Sequence, residues 1–144
     1  MAGLETINKV HGWPWKLAAW SVKRIGKPFS WGETDCAILC LEAFDVMTGA
    51  HQAELYRARY RSLREAVKFQ RDEVSLPDWL RSMGCFTVDR SELGDFIVVE
   101  RDGFQCGHVC FGSKSLSTWI DAGVNACQTE DVLTFPSARI LRVP

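Results

Sequence analysis

The nine residues PFSWGETDC, at positions 28–36, are the stretch on which the fold depends. A helical pattern runs from about Pro14 to Ile25 before this stretch, and a second pattern runs from about Asp35 to Thr48 and is closed by Gly49. Threonine and aspartate are both favoured N-caps, so Thr34 or Asp35 can cap the second helix. Cys36 then lies in the first helical turn, where unpaired amide groups and the helix dipole favour a thiolate.

After Gly84 the sequence pattern changes from helical to strand-like. Between residues 51 and 83 the spacing predicts helices around Ser62 to Phe69 and Leu76 to Met83. After residue 84 the pattern predicts five short strands, in the segments CFTV, DFIVVE, HVCFG, STWI and ARILRV. Asn125 to Thr134 is expected to form a loop. Helices followed by an antiparallel sheet predict one α+β domain over residues 1–144. Its expected parts are a leading helix at 1–27, a nucleophile loop and helix at 28–50, a helical insert at 51–84 and a sheet at 85–144.

Composition excludes several classes of function. Of the 144 residues, 17 are Lys or Arg and 18 are Asp or Glu, so no broad basic field favours nucleic acid or an anionic membrane as a partner. No apolar run approaches the ~20 residues that span a bilayer, and MAGLETINKV lacks the pattern of a signal peptide. We therefore expect a protein made in the cytosol, with six cysteines that begin reduced and no cofactor.

A nucleophilic thiol needs an imidazole within reach, and His108 is the best of the three histidines. His11 precedes the first helix, and His51 follows the far end of the second helix. If residues 112–115 form a four-residue turn, Trp119 faces His108 across the hairpin and Asp121 lies diagonally from it. Asp121 would then orient the imidazole, although a register slip of one residue would present other side chains.

Three motifs carry a family resemblance. The loop at 28–36 is similar to the aromatic, Trp-Gly, Asp-Cys nucleophile motif of NlpC-type cell-wall cysteine peptidases, a branch of the papain-like fold. The segment LGDFIVV at 93–99 resembles the Gly-Asp turn that leads into that family's first central strand. The segment GHVCFG at 107–112 resembles its His-Val strand, which begins with the catalytic histidine.

The resemblance implies a papain-like fold and hydrolysis of peptide bonds in peptidoglycan. Cys36 and His108 would be catalytic, with Asp121 as the third residue, and Phe29, Trp31 and Asp35 would contact substrate. The likeness is strongest to a phage-encoded branch found among tail genes, which also has a Tyr-Arg segment like residues 56–60. That branch implies a virion component that contacts other tail-tip or baseplate proteins and opens the cell wall as phage DNA enters.

Departures from the family pattern leave two other functions open. Phe29 stands where many members have Tyr, Glu33 where they have a second Gly, and Ala37 where Ser is frequent. Phe29 and Glu33 favour a structural tail subunit whose catalysis is weak or lost, whereas the intact Cys36 and His108 disfavour it. The alternative is a metal site, because five soft ligands could converge, although their spacing is not that of structural zinc. Those ligands are Cys36, Cys40, Cys106, His108 and Cys110.

Overall fold

The computed structural model describes residues 7–144, which form six helices and six strands. The helices are α1 (Trp13–Arg24), α2 (Cys36–Thr48), α3 (Gln52–Tyr56), α4 (Leu63–Asp72), α5 (Leu76–Ser82) and α6 (Thr129–Leu133). The strands are β1 (Phe86–Val88), β2 (Phe96–Arg101), β3 (Phe104–Phe111), β4 (Lys114–Trp119), β5 (Ala122–Gln128) and β6 (Arg139–Arg142). The expected α+β architecture is confirmed.

The six strands form one antiparallel sheet in the order β1-β6-β2-β3-β4-β5. Strand β2 lies inside the sheet, and its residues Phe96 to Val99 are buried on both faces. Strands β3 and β4 pair only from their turn as far as Val109 and Leu116. Beyond that point Ser117 Oγ donates to the Gly107 carbonyl at 2.7 Å. A side-chain hydrogen bond therefore takes the place of the backbone hydrogen bonds where β3 and β4 separate.

The hydrophobic core forms between α2 and the sheet. Helix α2 is apolar nearly all round, and its residues from Cys36 to Phe44 are buried. The helix packs tightly against Gly107 of β3, where an added Cβ would lie 2.3 Å from Cys40 Sγ and 3.3 Å from the Cys36 carbonyl oxygen. Only glycine therefore allows β3 to pack this closely against the start of α2.

A buried carboxylate fastens the neighbouring helices to α2. Glu42 accepts a hydrogen bond from Trp20 Nε1 of α1 at 3.2 Å and pairs with Arg24 Nε at 2.7 Å. Arg57, which follows α3, donates to the same carboxylate at 2.6 Å. Three donors thus compensate one charge that is largely removed from water. This arrangement fixes α1 and the start of the helical insert relative to the helix that carries Cys36.

The helical expectations around α1, α2, α4 and α5 are confirmed, but three later features differ. The expected loop from Asn125 to Thr134 is wrong, because it contains the end of β5 and all of α6. Strand β5 is mostly exposed and its sequence AGVNACQ lacks a clean alternation, so pairing to β4 rather than its own pattern makes it a strand. Helix α3 occupies residues that carried no helical expectation.

Within residues 7–144, no helix combines the length and the apolar character needed to cross a lipid bilayer.

Candidate functional site

The start of α2 is built by Asp35, which is fully buried and caps the helix. Its Oδ1 accepts from the amides of Ala37 and Ile38, each at 3.0 Å, and its Oδ2 accepts from the Gly32 amide at 2.8 Å. Burial raises the pKa of this carboxyl, while the amide hydrogen bonds oppose the rise. The residue that the resemblance assigned to substrate binding therefore organises the loop and the helix, with none of its surface open to a ligand.

Cys36 is the first residue of α2, as the capping pattern predicted, and it is fully buried. Its thiol lies beside the thiol of Cys106 and the amide of Gly107 on β3. Burial and the neighbouring Cys106 raise the pKa of Cys36 well above its ordinary value, and the Gly107 amide acts in the opposite direction. Asp35 caps the two amides that follow Cys36 and leaves the Cys36 N–H outside the cap.

His108 lies on β3 and is 7% exposed, with its Nδ1 buried and without a hydrogen-bond partner among the described residues. Burial lowers its pKa, but the adjacent Cys106 and Cys127 thiols raise it more, to about 9. Conversely, the neighbouring Cys36 thiol and His108 imidazole lower the pKa of Cys106 despite its burial. An imidazolium and a thiolate therefore stabilise each other on this strand.

The two predicted catalytic residues each neighbour Cys106, and no direct hydrogen bond joins Cys36 to His108 in the described chain. Cys106 is a neighbour of both Cys36 and His108, so the pKa of Cys36 is raised and that of Cys106 is lowered beside one imidazole. From the sequence, Cys106 is expected to be a small core residue, a metal ligand or a nucleophile, and not a neighbour of a catalytic pair. Its position two residues before His108, on the same face of the strand, was the signal that it belongs with the histidine.

The register predicted for Asp121 is wrong. Strands β3 and β4 are joined by a two-residue turn at Gly112 and Ser113, with φ of +82° at the glycine, and Cys110 faces Ser115. That register, extended, would place Ser117 rather than Trp119 opposite His108. Asp121 instead lies in the exposed turn between β4 and β5. It still lines a pocket of about 260 Å³ together with His108, so it remains a candidate third residue through the pocket.

Aromatic rings connect the nucleophile loop to this pocket. Phe29 and Trp31 meet edge to face with centroids 4.7 Å apart, and Trp31 makes a similar contact with Trp119 at 5.8 Å. Trp119 lines the pocket beside His108. Phe29 and Trp31 are half-buried, so each keeps part of its ring open to solvent. The two predicted substrate contacts, Phe29 and Trp31, therefore pack against Trp119 in the pocket wall.

Tyr60 is a site residue that the residue-by-residue argument missed. Its ring is buried, and its hydroxyl has no hydrogen-bond partner among the described residues. Burial and the nearby Asp35 carboxylate raise the pKa of this hydroxyl well above its usual value, so it is a neutral phenol. The Tyr-Arg segment at 56–60 was the available signal, but nothing in it indicated proximity to Asp35.

The metal hypothesis gains no ligand set from the described part of the chain. Between residues 7 and 144, no group of three or more His, Cys, Asp or Glu side chains is arranged to hold a metal ion. The six cysteines are free thiols. Cys40 is buried beside Gly107, and it serves there as a small packing residue.

Comparison with known proteins gives a family but no activity. No curated protein matches the chain. Residues 8–135 match a family described as a domain of unknown function, DUF6950, and this match extends over the leading helix, the nucleophile loop, the pocket and α6. The chain therefore belongs to the DUF6950 family.

Proposed function

We propose that this protein is a cysteine peptidase of the papain-like NlpC type, which cleaves peptide bonds of peptidoglycan. One observation carries the proposal: Cys36 is the first residue of a buried, capped helix that packs against the strand of His108. A helix N-terminus lowers the cost of a thiolate, and an imidazole nearby supplies the proton that the leaving amine requires. The motifs around residues 28–36, 93–99 and 107–112 support the same function.

In the proposed reaction, the Cys36 thiolate attacks the amide carbonyl carbon and forms a thioester. As the carbon–nitrogen bond breaks, the His108 imidazolium donates its proton to the departing amine. Water then attacks the thioester, His108 accepts a proton from it, and the acid leaves as the Cys36 thiolate reforms. The Cys36 N–H, which the Asp35 cap leaves out, would donate to the oxyanion, a contribution of roughly 3 kcal/mol.

Cys106 extends this mechanism. In the resting enzyme the Cys106 thiolate and the His108 imidazolium form the ion pair, and Cys36 keeps its proton. Transfer of the Cys36 proton to Cys106 as Cys36 attacks would move the charge to the nucleophile, and the proton would return from Cys106 to Cys36 once the thioester is hydrolysed. Cys106 would therefore act as the base for the nucleophile, beside both Cys36 and His108.

The biological setting is proposed to be a phage tail tip or baseplate, reached after synthesis in the bacterial host cytoplasm. The resemblance to peptidases encoded among tail genes supports it. Helix α1 also presents Trp15, which is 82% exposed, together with Val22 and Ile25, and this apolar face suits contact with other tail proteins. Nucleic acid and membrane are not among the proposed partners.

A second candidate is a structural tail subunit that keeps the fold and lacks catalysis. The full burial of Cys36 favours it, because a thiol with no exposed surface and a raised pKa is a poor nucleophile. In this case Phe29 and Glu33 would mark the loss of substrate contacts.

Hydrolysis of purified peptidoglycan peptides tests the choice, with Cys36→Ala, His108→Ala and Cys106→Ser compared with the unmodified chain. Cys36→Ala should abolish cleavage, and His108→Ala should slow it by about 100-fold to 10,000-fold, the usual range for a general acid or base. Cys106→Ser should slow cleavage less than either and shift its pH profile. Equal cleavage by the Cys36→Ala protein would refute the nucleophile.

Mass-spectrometric mapping of iodoacetamide labelling between pH 5 and 9 separates the two candidates. A catalytic site predicts a thiol that labels below pH 7 and loses this reactivity in the His108→Ala protein. If no thiol labels below pH 7 and no peptide is cleaved, the structural function replaces the enzymatic one. Circular dichroism of each variant confirms that the fold is retained.

A further inference from the structure

The pocket beside His108 has a charged end that the proposed reaction does not use. The pocket is about 260 Å³ in volume, and Arg101 at the end of β2 lies in its wall. The Arg101 guanidinium lies over the Trp119 ring, 4.3 Å from its centroid. This contact holds a planar cation in one orientation at the pocket surface.

Arg101 has no acidic partner among residues 7–144, where the ion pairs of other arginines are with Glu33, Glu42, Glu54, Asp72, Asp78, Glu92 and Asp95. Asp121 is the acidic residue in the lining of the pocket, and it forms no ion pair with Arg101. Arg101 is half-buried, so its donors are partly removed from water without being compensated by protein. Such a guanidinium favours an anion brought by a ligand.

The nearby charges strengthen this preference. His108 lines the same pocket, and with a pKa of about 9 it is cationic at neutral pH. Arg101 is also close enough to contribute to the lowered pKa of Cys106. A carboxylate near Arg101 would therefore face two cations, Arg101 and His108, with the Cys106 thiolate and Asp121 as the opposing charges.

We propose that Arg101 is a specificity-determining residue, which binds a carboxylate of the peptide substrate while Trp119 holds the guanidinium in place. The proposal rests on the proposed function for the identity of the peptide, and it adds the class: a peptide that carries a free carboxylate. A planar guanidinium binds both oxygens of a carboxylate and cannot make the same two contacts with a carboxamide. Comparing the binding of the acid and amide forms of one peptide therefore tests for this carboxylate site.

Binding is measured on the full chain carrying Cys36→Ala, so that no peptide is consumed. The probes are the tripeptide L-Ala-γ-D-Glu-L-Lys and the same peptide with its D-glutamate α-carboxylate converted to the amide. Titration calorimetry compares this protein with versions that also carry Arg101→Met or Arg139→Met. Arg139 is the matched control, because it is an exposed arginine on β6 that lies outside the pocket lining.

The acid should bind at least 10-fold more tightly than the amide, and this preference should survive Arg139→Met and disappear with Arg101→Met. Equal binding of acid and amide, persistence of the preference in Arg101→Met, or failure of both peptides to bind would each overturn the proposal. A preference that follows Arg101 in a protein that cleaves neither peptide would support the carboxylate site and refute the proposed peptidase. If Cys36→Ala abolished cleavage but the acid peptide bound no more tightly than the amide, the proposed peptidase would be supported and the carboxylate site refuted.

Discussion

Two fully buried aspartates, Asp35 and Asp95, perform the same local task with different electrostatics. Each lies just before an element of the core, and each accepts backbone amides of its own loop, from Gly32 and the first turn of α2 in one case and from Glu92 in the other. Asp95 also receives two hydrogen bonds from Arg142, at 2.9 Å to each oxygen. Asp35 has amides and a neighbouring phenol around it, and no cation pairs with it among residues 7–144.

The difference separates a structural carboxylate from one that belongs to a candidate site. A bidentate arginine neutralises Asp95, which joins the turn before β2 to strand β6. Amides alone compensate less charge, and the pKa of Asp35 is correspondingly raised by burial. The loop at 28–36 thus buries a carboxylate without a paired cation, whereas Arg142 pairs with the carboxylate of the Gly-Asp turn.

The largest loss of stability is expected on replacing the glycine near each aspartate, Gly32 before Asp35 and Gly94 before Asp95. At Gly32 an added Cβ would lie 2.1 Å from the Tyr60 carbonyl oxygen, whereas at Gly94 it would lie 2.7 Å from the Trp13 ring. Both have positive φ, +77° and +89°. A backbone carbonyl cannot move as a ring can, so Gly32→Ala should cost about 4 kcal/mol and Gly94→Ala about 2 kcal/mol in the free energy of unfolding.

Urea unfolding measures both variants, and Gly112→Ala serves as the control. Gly112 has the same positive φ, +82°, with nothing within 4 Å of an added Cβ, so its variant reports backbone strain alone. If Gly32→Ala were no more destabilising than Gly112→Ala, close packing of the nucleophile loop against Tyr60 would not contribute to stability.

The next test removes the cation that distinguishes the two aspartates. Arg142→Met leaves the buried Asp95 charge without its partner, and we expect a loss of about 3 kcal/mol, at the lower end for broken buried pairs because Arg142 is partly exposed. The double variant Arg142→Met with Asp95→Asn should recover part of this loss. A double-mutant cycle by thermal or urea unfolding measures the coupling, and a coupling near zero would contradict the assignment of Asp95 as a charged structural residue.

The smallest effect is expected at Asp35 and depends on pH. Asp35→Asn should cost about 1 kcal/mol at pH 7, because the amide loses the Gly32 hydrogen bond but also removes a buried charge. A carboxyl whose pKa is raised in the folded state stabilises the protein fully below its ordinary pKa of 3.8, and this stabilisation is lost as pH rises through the folded value. The cost of Asp35→Asn should therefore grow as pH falls from 7 to 4.

Unfolding by urea at several pH values checks this sign. Glu65→Gln is a control, since Glu65 is an exposed carboxylate that follows the Ser62 cap of α4. If the difference between the unmodified chain and Asp35→Asn were constant from pH 4 to 7, Asp35 would not be the strained carboxylate that its surroundings indicate.

Local rules in the sequence were enough to locate α1, α2 and the segments of five strands. Helix ends marked by Pro14, Asp35 and Gly49 depend on neighbours within a few residues, and so the pattern contains them. Strand β5 and helix α6 depend on contacts with β4 and β2 that no local pattern records. The register error at Asp121 came from the length of one turn, which shifted every later side chain along the hairpin.

The candidate site divides in the same way. Cys36 and His108 were identifiable because a capped helix start and a His-containing strand are local features. The Cys106 thiol between them, the Tyr60 hydroxyl beside Asp35 and the Arg101 guanidinium on Trp119 depend on the packing of distant segments. Periodicity places such residues on a face, but it does not say which face of another element they meet.

The position of β6 within the sheet has a consequence for synthesis. Residues Arg139–Arg142 insert between β1 and β2, so β1 has no hydrogen-bonded neighbour until those residues have left the ribosome. The nascent chain must hold the edges of β1 and β2 apart and unpaired while the following strands emerge, a state open to mispairing with other chains. Ribosome-bound intermediates that stop before residue 139 should therefore bind chaperones, and release should coincide with the arrival of the last strand.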